Sequence, residues 1–391
     1  MKVFVVAGEP SGDKLGAALM AGLKALVPDV TFDGVGGPLM QGQGVDSMFA
    51  MEELSLMGIA EILPKYRHLK RRIRETADAV IAAKPDVLIT IDSPDFCLRL
   101  ARLVKAGSNV RTVHYVAPTV WAWRAGRAEK MARHIDHVLA LFPFEPPFMQ
   151  AAGMDCDFVG HPVAAEPPVT PDELRAFDEK YGLGRGTECM VILPGSRRSE
   201  VERMGPIFGQ TFAQADLGDM FVVFPTLPHL RSVVEQQFAP LMSSGKVCVM
   251  DGSDVTPEQA ARDRLVAMAR ASVALAASGT VSLELAAAGT PMVIAYDMNW
   301  LSRQIISRML LTDTVTLVNL VSETRVVPEF IGAQCQPHLI APALEIVAKA
   351  RTDPSQPPSP QDAALTFTME RLGRGGDAPG LRAARAVLAR L

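Results

Sequence analysis

Val3-Phe4-Val5-Val6-Ala7-Gly8-Glu9-Pro10-Ser11-Gly12-Asp13 opens with an apolar run that breaks abruptly into glycine, proline and acid. Five apolar residues bounded by turn formers read as a strand buried on both faces. Gly8 to Asp13 reads as a turn, and the apolar spacing over Leu15–Val27 as a helix. Further apolar runs at Thr31–Val35, Val87–Asp92, Val110–Val116, Val138–Leu141 and Cys156–Val159 alternate with helical patterns. That alternation predicts a parallel sheet covered by helices on both faces.

The pattern stops at Gly160-His161-Pro162-Val163-Ala164-Ala165-Glu166-Pro167-Pro168, where proline clusters, and a linker is expected there. A second series follows, with strands at Cys189–Leu193, Met220–Phe224, Val247–Met250, Val273–Ala276 and Pro291–Ala295. A length of 391 residues also fits two domains better than one core. The expected architecture is α/β, with two Rossmann-like domains whose parallel sheets face each other across a cleft. The first spans residues 1–165 and the second 166–350. Thr352–Gln361, rich in proline and serine, reads as a second linker. The closing segment, about 362–391, carries a helix at Leu381–Leu391 that can return to the first domain or meet a partner chain in a homodimer.

Composition excludes several classes. A net charge of −4 lacks the basic excess of a general nucleic-acid binder. The five cysteines (Cys97, Cys156, Cys189, Cys248 and Cys335) contain no C-x-x-C pair, so neither a zinc nor a redox motif is indicated, and a reducing, cytoplasmic setting is expected. The seven histidines show no metal-binding spacing, since His134 and His137 are three apart without a carboxylate motif. No metal or cofactor is therefore expected. The apolar start is too short for a signal peptide, and no stretch approaches the ~18 apolar residues of a membrane span. Membrane contact, if made, is expected to be peripheral.

Ligands of open parallel sheets bind at the carboxyl ends of strands, which directs attention to four loops. In the first, Gly8 to Asp13, glycines allow close backbone approach and a helix start favours an anion, while a tight turn capped by Ser11 or Asp13 fits equally. In the second, Ile91-Asp92-Ser93-Pro94-Asp95-Phe96, Ser93 and Pro94 read as N-cap and N1. That leaves Asp92 available to accept a proton from a hydroxyl nucleophile or to stabilise the helix start. The third, Leu193-Pro194-Gly195-Ser196-Arg197-Arg198, sets a glycine turn, a hydroxyl and an arginine before a helix, a pattern suited to phosphate. The fourth, Ala277-Ser278-Gly279-Thr280, opens a helix in which Glu284 can accept ribose hydroxyls, and a capping box is compatible with the same residues. Two such helix starts in one domain fit a nucleoside diphosphate.

A fifth feature is the apolar stretch Leu54–Leu63, which includes Leu56, Met57 and Ile59, followed by a basic run, Lys65–Arg74, with Arg71 and Arg72. Apolar residues beside dense positive charge suit an anionic lipid interface. A core segment followed by a solvated helix face gives the same pattern.

These motifs in this order resemble the lipid-A-disaccharide synthase family, inverting glycosyltransferases of the GT-B fold class. The resemblance runs to about Phe330. It rests on Ala7–Asp13, Gly34-Val35-Gly36-Gly37-Pro38, Met51-Glu52-Glu53-Leu54, Asp92–Phe96, His114–Arg124 with its Trp121-Ala122-Trp123-Arg124 block, Pro143-Phe144-Glu145, Gly160-His161-Pro162, Leu193–Arg197 and Ala277–Thr280. Cys97, Asp297 and Val318 depart from the residues common in the family. The resemblance implies UDP-2,3-diacylglucosamine as donor and 2,3-diacylglucosamine 1-phosphate (lipid X) as acceptor, with Asp92 as general base. It implies UDP-sugar contacts at Ser196, Arg197, Ser278, Gly279, Thr280, Glu284 and Asn319, and acceptor contacts at Glu9, Ser11, Gly12, Asp13, Trp121 and Arg124. It also implies peripheral attachment to the inner face of the bacterial inner membrane. The competing expectations are a GT-B-fold UDP-sugar 2-epimerase and a non-catalytic nucleotide-binding protein at a membrane.

Overall fold

A computed structural model describes residues 1–54, 59–121, 126–184, 186–298, 312–352 and 359–391, with the side chains at 59–66 and 351–352 outside that description. The chain divides into two units, Met1–Ala165 with Leu372–Leu391, and Glu166–Arg371.

The first unit is built on a fully parallel sheet of β1 (Lys2–Ala7), β2 (Thr31–Val35), β3 (Asp46–Ser47), β4 (Val87–Ile91), β5 (Arg111–Tyr115), β6 (His137–Ala140) and β7 (Asp155–Phe158). Its spatial order is β3-β2-β1-β4-β5-β6-β7. Helices α1 (Pro10–Leu26), α2 (Pro38–Gly42), α3 (Ile59–Ala83), α4 (Pro94–Gly107), α5 (Arg127–Met131) and α6 (Pro146–Ala151) complete the winding. Because both faces are covered, Val3, Val5, Leu88 and Ile89 are wholly buried. Each such side chain contributes roughly 1.5–3 kcal/mol of burial. On one face Phe4, Val6 and Leu88 pack with Val80 of α3 and Leu100 and Val104 of α4.

The second unit repeats the scheme with β8 (Cys189–Leu193), β9 (Phe221–Pro225), β10 (Val247–Met250), β11 (Val273–Ala276), β12 (Met292–Tyr296) and β13 (Glu329–Ile331), all parallel, in the order β10-β9-β8-β11-β12-β13. Ile192, Val222, Phe224, Leu275 and Val293 form its core with Val201, Met204 and Phe208 of the helix Arg198–Gln214.

Three expectations are corrected. Helix α1 starts at Pro10, not Leu15, so Ser11, Gly12 and Asp13 lie in its first turn. Proline at N1 has its φ already set for a helix and lacks only an amide that would be unsatisfied there. The edge strands β3 and β13 are too short to carry an apolar run of their own. The helix Pro360–Arg371 stays with the second unit: Leu365 and Met369 are buried, and the Gln361 side chain accepts the Met292 amide. Only the last helix, Pro379–Leu388, joins the first unit. It lies so close to α1 that a Cβ on Gly22 would stand 2.6 Å from the Gly380 carbonyl oxygen. Arg390 then ties the chain's end to Asp155 at 2.9 Å and Asp157 at 3.1 Å.

Candidate active site

In each sheet the winding reverses direction once, between β1 and β4 in the first unit and between β8 and β11 in the second. Such switch points open crevices at the carboxyl ends of strands. The four loops singled out in the sequence are the four that leave these strands.

In the first unit Asp92 and Ser93 follow β4 with φ of 51° and 42°, and Val116 follows β5 at 86°. Three non-glycine residues at positive φ in adjacent loops store strain, about 1–3 kcal/mol each, and strain of this kind gathers at functional sites. Neighbouring strands hold the geometry: the Asp92 amide donates to the Tyr115 carbonyl at 3.0 Å, and the Val116 amide to Leu139 at 3.0 Å. Partial burial raises the Asp92 carboxyl above its ordinary value, and the Ser93 amide offsets this only in part. Asp92 is thus a half-buried carboxylate of raised basicity at the switch point. Ser93 occupies the N-cap of α4 with Pro94 at N1, yet its hydroxyl makes no cap bond and is buried without a hydrogen-bond partner among the described residues. An N-cap residue normally sits in extended backbone, and the left-handed turn removes that geometry.

Four residues of the β1 loop were expected to contact acceptor, and they have different duties. Glu9 is half-buried at the N-cap of α1, and Ser11 is exposed one turn in. Gly12 is buried, where a Cβ would reach Ala7 and the Ile91 carbonyl at 3.4 Å, so it serves the packing of α1 on the sheet. Asp13 is 3% exposed and accepts the amides of Gly37 at 2.9 Å, Leu39 at 3.0 Å and Met40 at 3.0 Å. Its carboxylate caps α2, not α1, and these three amides give it a structural duty beside its expected contact with acceptor.

Trp121 is half-buried and meets Phe144 edge-on at 5.1 Å, and Phe144 stacks on Phe142 at 5.3 Å. Beneath this cluster Glu145 is buried and receives the Leu141 and Phe142 amides at 3.0 and 2.9 Å. Burial pushes its carboxyl up to about 8, so it is protonated at neutral pH. Arg124 lies outside the described residues.

In the second unit, Gly195 at φ 136° turns the chain after β8. Glu200 reaches back to accept the Ser196 amide at 2.9 Å and the Arg197 amide at 3.2 Å, and pairs with the Arg197 guanidinium at 2.8 Å. These are amides that an external anion would use, and an internal carboxylate holds them. After β11, Ser278 is half-buried, Gly279 at φ 153° is exposed, and Thr280 makes no side-chain cap. The capping-box alternative is therefore not realised. Glu284 pairs with Arg264, which also lines a cavity of about 360 Å³ with Thr226, Met250, Asp251 and Tyr181. Asn319, expected at the UDP-sugar, is 1% exposed, donates to the Val327 carbonyl at 2.9 Å and accepts the Val327 amide at 3.1 Å, which is a structural duty.

The lipid-A-disaccharide synthetase family model matches residues 3–356. The chain belongs to that family. A lipid-A-disaccharide synthase of Ruegeria pomeroyi is 60% identical over 393 residues, covering 100% of this chain and 96% of the relative. Among solved structures, an S. aureus MnaA–UDP complex superposes with a TM-score of 0.62 at 14% identity, over 99% of this chain and 94% of that one. A UDP-GlcNAc 2-epimerase from Neisseria meningitidis gives 0.59 at 13% identity, over 95% of this chain and 99% of that one. Likeness at that identity establishes the shared GT-B-like fold alone. Membership of the lipid-A-disaccharide synthase family makes this chain a glycosyltransferase, and the epimerase expectation is set aside.

The membrane-facing residues expected in this synthase family member divide unevenly. Leu56, Met57 and the side chain of Ile59 lie outside the described residues. Arg72 turns inward: its Nε and Nη2 bond Glu53 at 2.8 and 2.9 Å, its Nη1 bonds Glu75 at 2.9 Å, and it lies over the Phe49 ring at 4.4 Å. Arg71 stays exposed, near His68 at 3.0 Å and Glu75 at 3.5 Å. No helix among the described residues is long and apolar enough to cross a membrane. Sequence reasoning missed Val116 and the cavity residues Thr226 and Asp251, although both cavity residues directly follow a strand.

Proposed function

We propose that this synthase transfers a 2,3-diacylglucosaminyl group from UDP-2,3-diacylglucosamine to O6 of 2,3-diacylglucosamine 1-phosphate, giving a β-1,6-linked disaccharide 1-phosphate and UDP. The observation that carries the reading is Asp92: a carboxylate of raised pKa on strained backbone at a switch point. Asp92 takes the O6 proton as that oxygen attacks the anomeric carbon. The bond from that carbon to the diphosphate breaks on the opposite face, and its electron pair leaves with UDP, inverting the centre.

The donor nucleotide belongs to the second unit and the acylated acceptor to the first. Arg197 and the exposed helix start at Gly279–Thr280 stabilise charge growing on the leaving diphosphate. The cavity beside the Arg264–Glu284 pair supports a site for the nucleoside, and the UDP in the MnaA complex favours the same class of ligand. In the first unit, exposed Ser11, half-buried Glu9 and Trp121 are the acceptor-side candidates. Both substrates carry acyl chains, so the enzyme works peripherally at the cytoplasmic face of a membrane.

The purified protein is incubated with both substrates and the products are weighed by mass spectrometry. A disaccharide 1-phosphate with stoichiometric UDP supports the reading. UDP binding without disaccharide across a panel of acyl lengths favours a non-catalytic binder and sinks the proposal.

A further inference from the structure

The face of the first unit formed by α3, α4 and α5 carries two adjoining clefts that share Arg99 and Arg102 as a common ridge. One, of about 460 Å³, adds Lys70 and Arg74, and the other, of about 290 Å³, adds Arg127 and Lys130. All six are at least partly exposed, and none of their side chains makes an ion pair or hydrogen bond among the described residues. Among the described residues, Asp95 is the one carboxylate lining either cleft. In a chain whose net charge is −4, such a concentration of unneutralised cations is a local field of one sign. Two of the cations, Arg102 and nearby Arg133, help hold the His134 imidazole below its ordinary pKa, after burial, the larger cause.

The walls between the cations are apolar. Ile73 and Leu103 line the first cleft, and Leu98 and Met131 the second. Cations around apolar walls suit lipid headgroups, whose phosphates need charge and whose upper acyl segments need hydrocarbon. A nucleic acid would call for stacking aromatics, and among the described residues neither lining holds one. The second cleft begins at Pro94 and Asp95, directly after Asp92 and Ser93. A bilayer seated on this face would therefore lie beside the turn that holds Asp92.

We propose that the α3–α4–α5 face is the docking surface for anionic phospholipid headgroups, with the Arg99–Arg102 ridge at its centre. This rests on the peripheral-membrane reading and relocates the contact from Arg71 and Arg72. Arg72 is committed to Glu53 and Glu75, whereas the ridge arginines have no carboxylate partner among the described residues.

The test is vesicle flotation without substrate, comparing wild type, the double variant Arg99→Ser/Arg102→Ser, the charge-keeping Arg99→Lys/Arg102→Lys, and Arg71→Ser. With vesicles containing phosphatidylglycerol, removing two ridge cations should lower partitioning about thirtyfold. The lysine variant and Arg71→Ser should stay within a few-fold of wild type. Turnover of the serine variant on acceptor in neutral detergent micelles should match wild type, while turnover on acceptor in anionic vesicles falls with its partitioning. Flotation of the serine variant equal to wild type overturns the assignment of this face while leaving membrane attachment standing. Failure of wild type to float removes the membrane reading itself. A raised KM for micellar acceptor in the serine variant would mean that the ridge holds the acceptor's own phosphate, and the bilayer proposal falls.

Discussion

Gly8 and Ser93 are in such close register across β1 and β4 that a Cβ on Gly8 would stand 2.7 Å from the Ser93 hydroxyl oxygen and 3.1 Å from its Cβ. The loop after β1 thus limits the space available to the strained turn after β4. The Ser93 hydroxyl is buried without a hydrogen-bond partner among the described residues. A methyl group at position 8 must push that turn.

Gly8→Ala is expected to lower stability by about 1–3 kcal/mol through overpacking, and to lower turnover by displacing Asp92 with Ser93. Urea unfolding and steady-state kinetics read the two effects. Wild-type values in both would show that the turn yields freely and that Gly8 does not brace it.

Asp92→Asn is expected to lower turnover ~10²–10⁴-fold while UDP binding persists. The same change should not destabilise the fold at neutral pH and should stabilise it slightly. Burial raises the folded pKa of Asp92, so the native state holds its proton more tightly than the unfolded chain. Stability contributed by the neutral form is then lost as pH rises from the unfolded to the folded pKa, and asparagine has no such loss. For turnover the dependence reverses, because the base acts ionised. The acid limb of the wild-type pH–rate profile should therefore lie above the ordinary carboxylate range. A melting temperature well below wild type in Asp92→Asn would contradict the burial argument.

Arg197→Ala should weaken UDP binding by about 10–100-fold, the loss of a charge-assisted hydrogen bond to phosphate. UMP, which lacks the second phosphate, should lose less. Calorimetry with both nucleotides measures the difference. Unchanged UDP affinity would leave Arg197 as only the partner of Glu200.

Glu145→Gln tests the carboxyl under the Trp121 cluster. The folded group is protonated up to about 8, while the unfolded carboxyl ionises near its ordinary value of 4.5. Its contribution to stability is full at low pH and falls as pH rises between those values. Glutamine keeps an acceptor for the Leu141 and Phe142 amides and has no charge to lose. The variant should match wild type below about pH 4.5 and exceed it above about 8. His114 contributes with the opposite sign. Burial lowers it to about 4, so its contribution is lost as pH falls from its unfolded value toward 4. Parallel pH–stability curves for wild type and Glu145→Gln would refute the assignment.

The two alternating series, their boundary near Ala165 and the four loops that leave the switch-point strands were legible because they are local. Buried parallel strands are continuous apolar runs, and a glycine turn after such a run has few other uses. Boundaries shifted by a residue or two, as at β6 and β9, and the shortest edge strands left no trace.

What sequence alone determined is therefore the architecture, the family and the addresses of the loops. Only the tertiary structure decided what each side chain in those loops does. Asp13 and Glu9 sit in one turn, yet Asp13 is taken up by amides some twenty-five residues away. Arg71 and Arg72 are neighbours, and only Arg72 finds Glu53. Asn319 is closed off by Val327, and Ser93 keeps its cap position without its cap bond. Ser93 loses its cap bond to left-handed backbone, while the physical reason is common to the other three. A polar side chain is available for chemistry only when no nearer donor or acceptor satisfies it. Its partners come from segments brought close by folding, which periodicity and spacing do not specify.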